Sequence, residues 1–172
     1  MNIKLESYIR EIADFPKEGI IFRDITPLLD NAIATNYATE LLFNLVPEKR
    51  VDKVVGIESR GFFFGTLLAN KLGVGFVPVR KPNKLPHSKL SQDFQLEYGI
   101  DTLEIHIDAI SKGDKILIHD DVLATGGTTE AVCKLVEQLG GEVVQCNFLM
   151  ELSFLKGREK LTKYNVASVI KY

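Results

Sequence analysis

Cysteine and histidine are scarce in this 172-residue chain, at two and three residues, and tryptophan is missing altogether. Cys133 and Cys146 stand in apolar-patterned segments without metal-ligand spacing. That argues against a zinc finger or a disulfide scaffold, and they read as buried thiols packing like small hydrophobes. His87, His106 and His119 have no spacing that would assemble a metal site. No apolar run approaches the ~20 residues of a membrane span. Glutamates occupy the N-terminal stretch MNIKLESYIREIADF, where a signal peptide would have its apolar core, so the expected location is the cytoplasm. Neither sign of charge dominates: the formal net charge is -2, and the densest basic group is Lys81, Lys84 and Lys89. Nothing points to a nucleic-acid or membrane partner. There is no GxxxxGK followed by Ser or Thr, and Pro78 stands where the third glycine of a dinucleotide motif would follow Gly73 and Gly75. Nucleotide hydrolysis and hydride transfer lose their usual supports.

What remains is ordinary for a globular chain, and the length suits a single domain, residues 1–172, with a full core. Ile3, Tyr8, Ile9 and Ile12 recur at helical spacing, which predicts an amphipathic helix over residues 3–13. Pro16 and Gly19 break it, and IIFRDITPLL follows as a short extended piece ending at Pro27. Residues 36–46 again read as helix. From there short apolar strands (53–57, 76–79, 115–118 and 142–150) alternate with segments that include the helices GFFFGTLLANKL, ended by Gly73, and TTEAVCKLVEQL, ended by Gly140. Continuous apolar strands separated by helices predict an α/β fold, with a central, mainly parallel sheet flanked by helices. Crossovers are expected to be right-handed and ligands to bind at the carboxyl ends of the strands. Residues 81–99 interrupt this rhythm: they are polar, carry two prolines, and follow a core strand at the ligand end. A long polar insertion there reads as a flexible lid. Residues 102–107 then alternate with period two, as an antiparallel strand would.

The chemistry concentrates in KILIHDDVLATGGTTEAV. Its strand delivers Asp120 and Asp121 to the sheet edge, and the loop Ala124, Thr125, Gly126, Gly127 and Thr128 opens a helix. Consecutive backbone N–H groups with a helix dipole behind them bind a phosphate without a lysine. Gly126 and Gly127 let the backbone approach the anion, and Thr125, Thr128 and Thr129 add hydroxyls. Two carboxylates beside a phosphate repel it. They make sense if a pentose stands next to it, because carboxylates accept hydrogen bonds from vicinal hydroxyls and favour a neighbouring metal. A turn and helix-cap signal would explain an isolated DD or GG, but not both together at a strand–helix junction.

HDDVLATGGTT resembles the phosphoribosyl diphosphate signature of the type I phosphoribosyltransferases. FPKEGIIFRDITPLL, ESRGFFFG, VPVRKPNKLP and LEYG resemble, in order, further segments of the adenine-using branch of that family, and LKGREKL fits it as well, so that the match runs from about Phe15 to the C-terminus. The resemblance implies the type I phosphoribosyltransferase fold, with a small N-terminal hood that binds the base (residues 1–34) and a lid loop with an antiparallel strand (81–107). It implies transfer of a phosphoribosyl group from 5-phosphoribosyl 1-diphosphate to N9 of adenine, forming AMP and pyrophosphate. It further implies Mg²⁺, held mainly by substrate, and a homodimer whose adjacent subunit lends positive charge.

By position, Asp120 and Asp121 would hold the ribose hydroxyls and residues 124–128 the 5′-phosphate. Glu58, Ser59 and Arg60, in a turn where a strained and even cis peptide is expected, would receive pyrophosphate together with Arg80, Lys81 and Lys84. Adenine would lie against Phe22, its edge read by main-chain groups of Ile21 and Arg23. Glu97 in LEYG matches the acidic lid residue and is the candidate catalytic acid/base, with Tyr98 beside it. Three departures stand out: His119 where an apolar residue is common, Glu58 where aspartate is also seen, and PHSK within the lid. His119 reads as a strand-end residue. The competing functions are a phosphoribosyltransferase for another purine such as xanthine, against which FRDITP argues, and a phosphoribosyl-diphosphate-binding regulator. The latter would normally carry a DNA-binding segment or a strong basic face.

Overall fold

The computed structural model describes every residue except 1–2, 48–49 and 96–98. The chain divides into two compact units, Met1–Leu41 and Leu42–Tyr172.

In the first unit a 3-10 turn, Leu5–Tyr8, leads into strand β1 (Arg10–Ala13), which pairs antiparallel with β2 (Ile21–Asp24). The helix predicted over residues 3–13 is therefore not formed. Asp14 and Gly19 both take left-handed backbone conformations, and the Gly19 N–H donates to Asp14 Oδ1 at 2.7 Å. This turn brings residues 10–13 beside 21–24, and a cross-strand partner outcompetes a helical pattern only three turns long. Asp24 Oδ1 then accepts from the Thr26 N–H (2.9 Å) and hydroxyl (2.6 Å), opening the short helix α1 (Thr26–Leu29). The next helix is α2 (Ala32–Leu45), where Asn31 Oδ1 accepts from the Ala34 N–H at 2.9 Å, the usual service of an N-cap asparagine.

The second unit continues with β3 (Lys53–Ile57), α3 (Gly61–Leu72), β4 (Gly75–Val79), β5 (Lys89–Gln95), β6 (Ile100–His106), β7 (Lys115–Leu123), α4 (Gly127–Gln138), β8 (Glu142–Glu151) and β9 (Val166–Lys171). Five strands form one parallel sheet in the order β4-β3-β7-β8-β9. The expected α/β architecture is thus present. The core strands read as unbroken apolar runs because the sheet is covered on both faces. Ala131, Val132, Leu135 and Val136 of α4 pack with Val55, Ile57, Ile116, Ile118 and Phe148 in one buried cluster. Cys133 and Cys146 are both fully buried, with Sγ atoms 3.6 Å apart, as the reading of packed thiols expects. No helix among the described residues is long and apolar enough to cross a membrane.

Three elements differ from the sequence reading. First, β7 runs nine residues rather than four, so the acidic pair lies inside the strand, where β8 pairs with it as far as Leu123↔Glu151. Second, β9 was not anticipated: it is a short edge strand following polar turns, with little periodicity to betray it. Third, much of the expected loop 81–99 is ordered backbone. Lys89–Gln95 pairs antiparallel with Ile100–His106 from Lys89↔His106 to Gln95↔Ile100. Alternate residues of β5 face solvent, so its composition looks like a loop.

Between β3 and β7 the strand order reverses, because the chain runs outward from β3 to β4 and then returns to β7 and β8. Such a switch point leaves a crevice at the carboxyl ends of the two strands. On the far side of β7, Glu151 at the end of β8 is 5% exposed. Arg158 binds its carboxylate with two nitrogens at 2.6 and 2.7 Å, and the Ser168 hydroxyl donates to it at 2.7 Å. The Arg158 hydrogen bonds, ahead of burial acting the other way, hold the Glu151 carboxyl below the usual range. Arg158 also donates to the Val166 carbonyl at 2.8 Å, tying the 3-10 helix Gly157–Leu161 to the sheet. Arg158→Ala leaves a buried carboxylate with one partner. We expect urea unfolding to show a loss of about 2 kcal/mol, after allowance for the solvent-facing side of the arginine. Unchanged stability would mean that the pair is not what holds this segment.

Candidate active site

The crevice is lined from both sides of the switch point. After β3 the chain passes through a cis peptide bond between Glu58 and Ser59 and enters α3 at Gly61. A Cβ on Gly61 would stand 2.8 Å from the His119 carbonyl and 3.0 Å from Asp120 Oδ1, so only glycine lets the first turn of α3 come this close to the acidic end of β7. Arg60 Nε lies 3.0 Å from Asp121 Oδ2. That carboxylate is 2% exposed as a residue, and its Oδ2 makes no hydrogen bond among the described residues despite the nearby charge. Asp120 is half-buried, with Oδ1 accepting from the Asp121 N–H at 2.9 Å.

Burial, and then the charge of Asp121, push the Asp120 carboxyl well above the ordinary range. Burial also raises Asp121, with the Arg60 guanidinium acting against it. Two like charges held out of water are costly unless something donates to them. The pair is therefore built to accept hydrogen bonds from a ligand.

The phosphate loop follows. Gly126 is left-handed (φ 79°) and caps α4, whose first closing bond runs from the Glu130 N–H to the Gly126 carbonyl. The amides before it have no partner within the helix, as at any helix start. The loop is braced from behind by backbone alone. A Cβ on Gly126 would stand 2.4 Å from the Gly157 carbonyl oxygen, and a Cβ on Gly157 would stand 2.3 Å from that of Ala124. The Leu152 N–H donates to the Leu123 carbonyl at 2.9 Å just before the loop. Gly157 is the residue that sequence reasoning missed. It sits in LKGREKL, a segment that fits the family but carries no polar chemistry to flag it.

Around Glu58 the arrangement is an ion-pair cluster. Arg80 donates from Nε (3.0 Å) and Nη2 (3.2 Å) to the Glu58 carboxylate, and the Lys81 N–H donates to it at 2.8 Å. The Arg80 hydrogen bonds hold the Glu58 carboxyl below the usual range despite some burial. Backbone bonds in both directions between Arg80 and Glu104, at 2.9 and 2.7 Å, fasten this turn to β6. Lys81 Nζ lies 3.2 Å from Asp101 Oδ2, while Lys84 is exposed. The structure thus brings together Glu58, Arg60, Arg80, Asp120 and Asp121, with the loop 124–128 at the end of the same strand.

The remaining candidates belong to other elements. Ile21, Phe22 and Arg23 lie on β2 in the first unit. The Phe22 ring meets Phe15 edge-on at 5.2 Å, and Arg23 forms an ion pair with Glu11 across the hairpin. Asp24 pairs with Arg10 at 3.8 Å. Glu97 and Tyr98 lie outside the described residues. Among those described, no three His, Cys, Asp or Glu side chains are grouped to hold a metal ion. His119 is not at a strand end: it sits fully buried within β7, where Nδ1 lies 2.6 Å from Asn147 Oδ1 and the ring meets Phe64 edge-on.

The comparisons with known proteins bear on the family and the fold. Residues 25–171 match the phosphoribosyl transferase domain, and the chain belongs to that family. Over 170 residues it is 62% identical to the adenine phosphoribosyltransferase of Flavobacterium johnsoniae, covering 99% of this chain and 100% of that one. The crystal structure of adenine phosphoribosyltransferase from Thermoanaerobacter pseudethanolicus superposes with a TM-score of 0.96 at 54% identity, over 98% of each chain. The Saccharomyces cerevisiae enzyme, solved with an iminoaltritol bisphosphate and adenine, has a TM-score of 0.89 at 43% identity, over 97% of this chain and 96% of that one.

Burial, against the weaker pull of Asn147, lowers the His119 pKa to about 4. The folded protein refuses a proton that the unfolded chain accepts near the ordinary value of about 6.5. The stabilising contribution is therefore full above pH 6.5 and is lost as the pH falls towards 4. The raised carboxylates of Asp120 and Asp121 act with the opposite sign, so the informative quantity is a difference between two profiles. Urea unfolding of the wild type and His119→Leu across this window should diverge by up to about 3 kcal/mol, the wild type losing more stability on acidification. Parallel profiles would contradict a buried neutral imidazole.

Proposed function

We propose that the chain transfers the phosphoribosyl group of 5-phosphoribosyl 1-diphosphate to N9 of adenine, releasing AMP and pyrophosphate. The observation that carries this reading is the acidic pair of β7, with Asp121 buried and its Oδ2 without a hydrogen bond among the described residues, running into a loop braced by Gly157 at the sheet's switch point. A pentose 5-phosphate satisfies both features at once. The relatives' shared use of the adenine name, at 62% identity over essentially the full length, supports the acceptor.

In the site so read, Asp120 and Asp121 accept from the ribose hydroxyls, and the amides of residues 124–128 hold the 5′-phosphate. The turn Glu58–Ser59–Arg60 receives the diphosphate, with Arg80, Lys81 and Lys84 around it. As the bond from C1′ to the diphosphate oxygen lengthens, positive charge grows on the sugar ring and negative charge on the leaving group. Arginine and lysine side chains fixed beforehand stabilise the second, and the aspartates lie beside the first. Glu58 keeps the Arg80 guanidinium in place by its paired hydrogen bonds.

Adenine lies against Phe22, with main-chain groups of Ile21 and Arg23 reading its edge. A 6-oxopurine reverses the donor and acceptor at C6 and N1 and leaves buried groups unpaired. Glu97 meets N7 of the purine and serves as the acid/base. The hairpin of β5 and β6 excludes water from a sugar that water would otherwise attack.

Mg²⁺ fits the donor set. A carboxylate oxygen of Asp121 without a hydrogen bond, beside Asp120, suits a cation that takes one or two protein oxygens and otherwise keeps water and substrate phosphates. When bound, it supplies positive charge to the departing diphosphate. The reading also includes a homodimer, purine salvage and a cytoplasmic setting.

The test offers the protein 5-phosphoribosyl 1-diphosphate, Mg²⁺ and, separately, adenine, hypoxanthine, guanine and xanthine. We expect AMP and no other nucleotide. Turnover of a 6-oxopurine without adenine would overturn the acceptor, and no turnover with any base would favour a regulator. Asp121→Asn and Glu97→Gln are each expected to lower kcat by about 10²-fold or more with the circular dichroism spectrum unchanged. Full activity in Glu97→Gln would remove its acid/base role.

A further inference from the structure

The phosphate loop lacks a lysine of its own, yet a lysine from the C-terminal segment stands against it. Lys160 Nζ lies 3.6 Å from the point where a Cβ on Gly127 would stand, at the first residue of α4. A helix start carries partial positive charge from its open N–H groups, and a cation placed there is repelled. Lys160 has no compensating carboxylate: it forms no ion pair among the described residues. Glu130, the nearby acid in the first turn of α4, is taken by Lys134 at 2.8 Å. A cavity of about 280 Å³ runs along the first two turns of α4 and the end of β5, lined by Gln95, Gly127, Lys134 and Lys160, with Asp93 and Glu130 also on its wall. The placement is unfavourable for the protein alone and becomes favourable once a dianion occupies the loop.

The position of the lysine is set by its neighbours in the segment. Gly157 lies under Ala124 and Gly126 in backbone contact, Arg158 is clamped to Glu151 by two hydrogen bonds, and Leu161 is 1% exposed in the core. The 3-10 helix Gly157–Leu161 is therefore tied to the sheet and the loop, with Lys160 exposed on it.

We propose that Lys160 is the cation of the 5′-phosphate subsite, closing on the phosphate from the side opposite the loop amides and discriminating a phosphorylated from an unphosphorylated pentose. This rests on the proposed reading of the loop and extends it. A point charge on a four-carbon stem suits a phosphate whose remaining oxygens face solvent.

The test compares the wild type with Lys160→Ala and Lys160→Arg. Alanine should raise the KM for 5-phosphoribosyl 1-diphosphate by about tenfold, the scale of one partly solvated charged hydrogen bond, and change kcat by less than about twofold. Inhibition by ribose 5-phosphate should weaken by a similar factor, inhibition by pyrophosphate should not change, and arginine should restore most of the loss. An unaltered donor KM, an equal weakening towards pyrophosphate, or an arginine variant as impaired as alanine would each overturn the assignment. Calorimetric binding of ribose 5-phosphate to the same three proteins separates this proposal from the reaction. If the wild type turns over no base but binds ribose 5-phosphate about tenfold more tightly than Lys160→Ala, the transferase reading fails and the subsite stands.

Discussion

The backbone contact between Gly157 and residues 124–126 is the constraint on which the phosphate site depends. A loop that meets an anion with its amides and carries no charge of its own has little to lock it, and its conformational entropy would otherwise be lost at the moment of binding. Here the loop is held before any ligand arrives. Two glycines approach so closely that neither tolerates a Cβ, and a left-handed residue caps the helix behind them. The segment carrying Gly157 is itself fixed, because Arg158 answers the buried Glu151 at the end of β8. Order therefore passes from the sheet, through a charged pair, to a loop that contains no charge.

The acidic pair follows a different logic. Asp120 and Asp121 are adjacent, largely out of water, and mutually repulsive, and both are driven towards protonation. A protein that only needed stability would gain from replacing them. The arrangement stands at the carboxyl end of the sheet, where in the proposed reading ligand hydroxyls supply the missing donors. Arg60 moderates the cost by lying beside Asp121 without spending its hydrogen bond on Oδ2. Glu58 and Arg80 show the contrasting case, a pair with its geometry satisfied, in which the carboxylate is kept ionised and the guanidinium oriented.

Much of this was legible in the sequence, and the failures have definite causes. Strands 53–57 and 142–150 and the helix GFFFGTLLANKL could be read because their burial is continuous and their ends carry glycines. The acidic pair and the TGGT loop could be read because their chemistry is unusual at a strand–helix junction. The N-terminal strand was mistaken for a helix because a pairing partner some ten residues away leaves no local trace. Strand β5 was mistaken for a loop because one of its faces is wet. His119 looked like a strand end because the strand was cut short at the first charge, whereas β7 continues through both aspartates. Gly157 and Lys160 escaped because their roles lie in position: one is a backbone surface, the other an unremarkable surface charge until the fold places it beside Gly127.

The two kinds of recognition also differ in what they ask of the chain. In the proposed reading the donor's phosphate and ribose are held by backbone amides, carboxylates and a fixed turn, all within the second unit and mostly at the ends of two neighbouring strands. Small errors in placement there would misalign the bond to be broken, so rigid backbone is the appropriate material. The base, in the proposed reading, is recognised on β2, a four-residue strand in a two-stranded hairpin of the first unit. A hairpin of that size is marginal by its own hydrogen bonds. Its side chains are accordingly cross-braced, Arg23 to Glu11, Arg10 to Asp24 and Phe22 to Phe15. These contacts join the two strands of the hairpin, and the proposed reading leaves specificity to the main chain between them. Main-chain donors and acceptors are common to every residue but proline, so in the proposed reading purine preference rests on the register of four residue pairs more than on any one side chain.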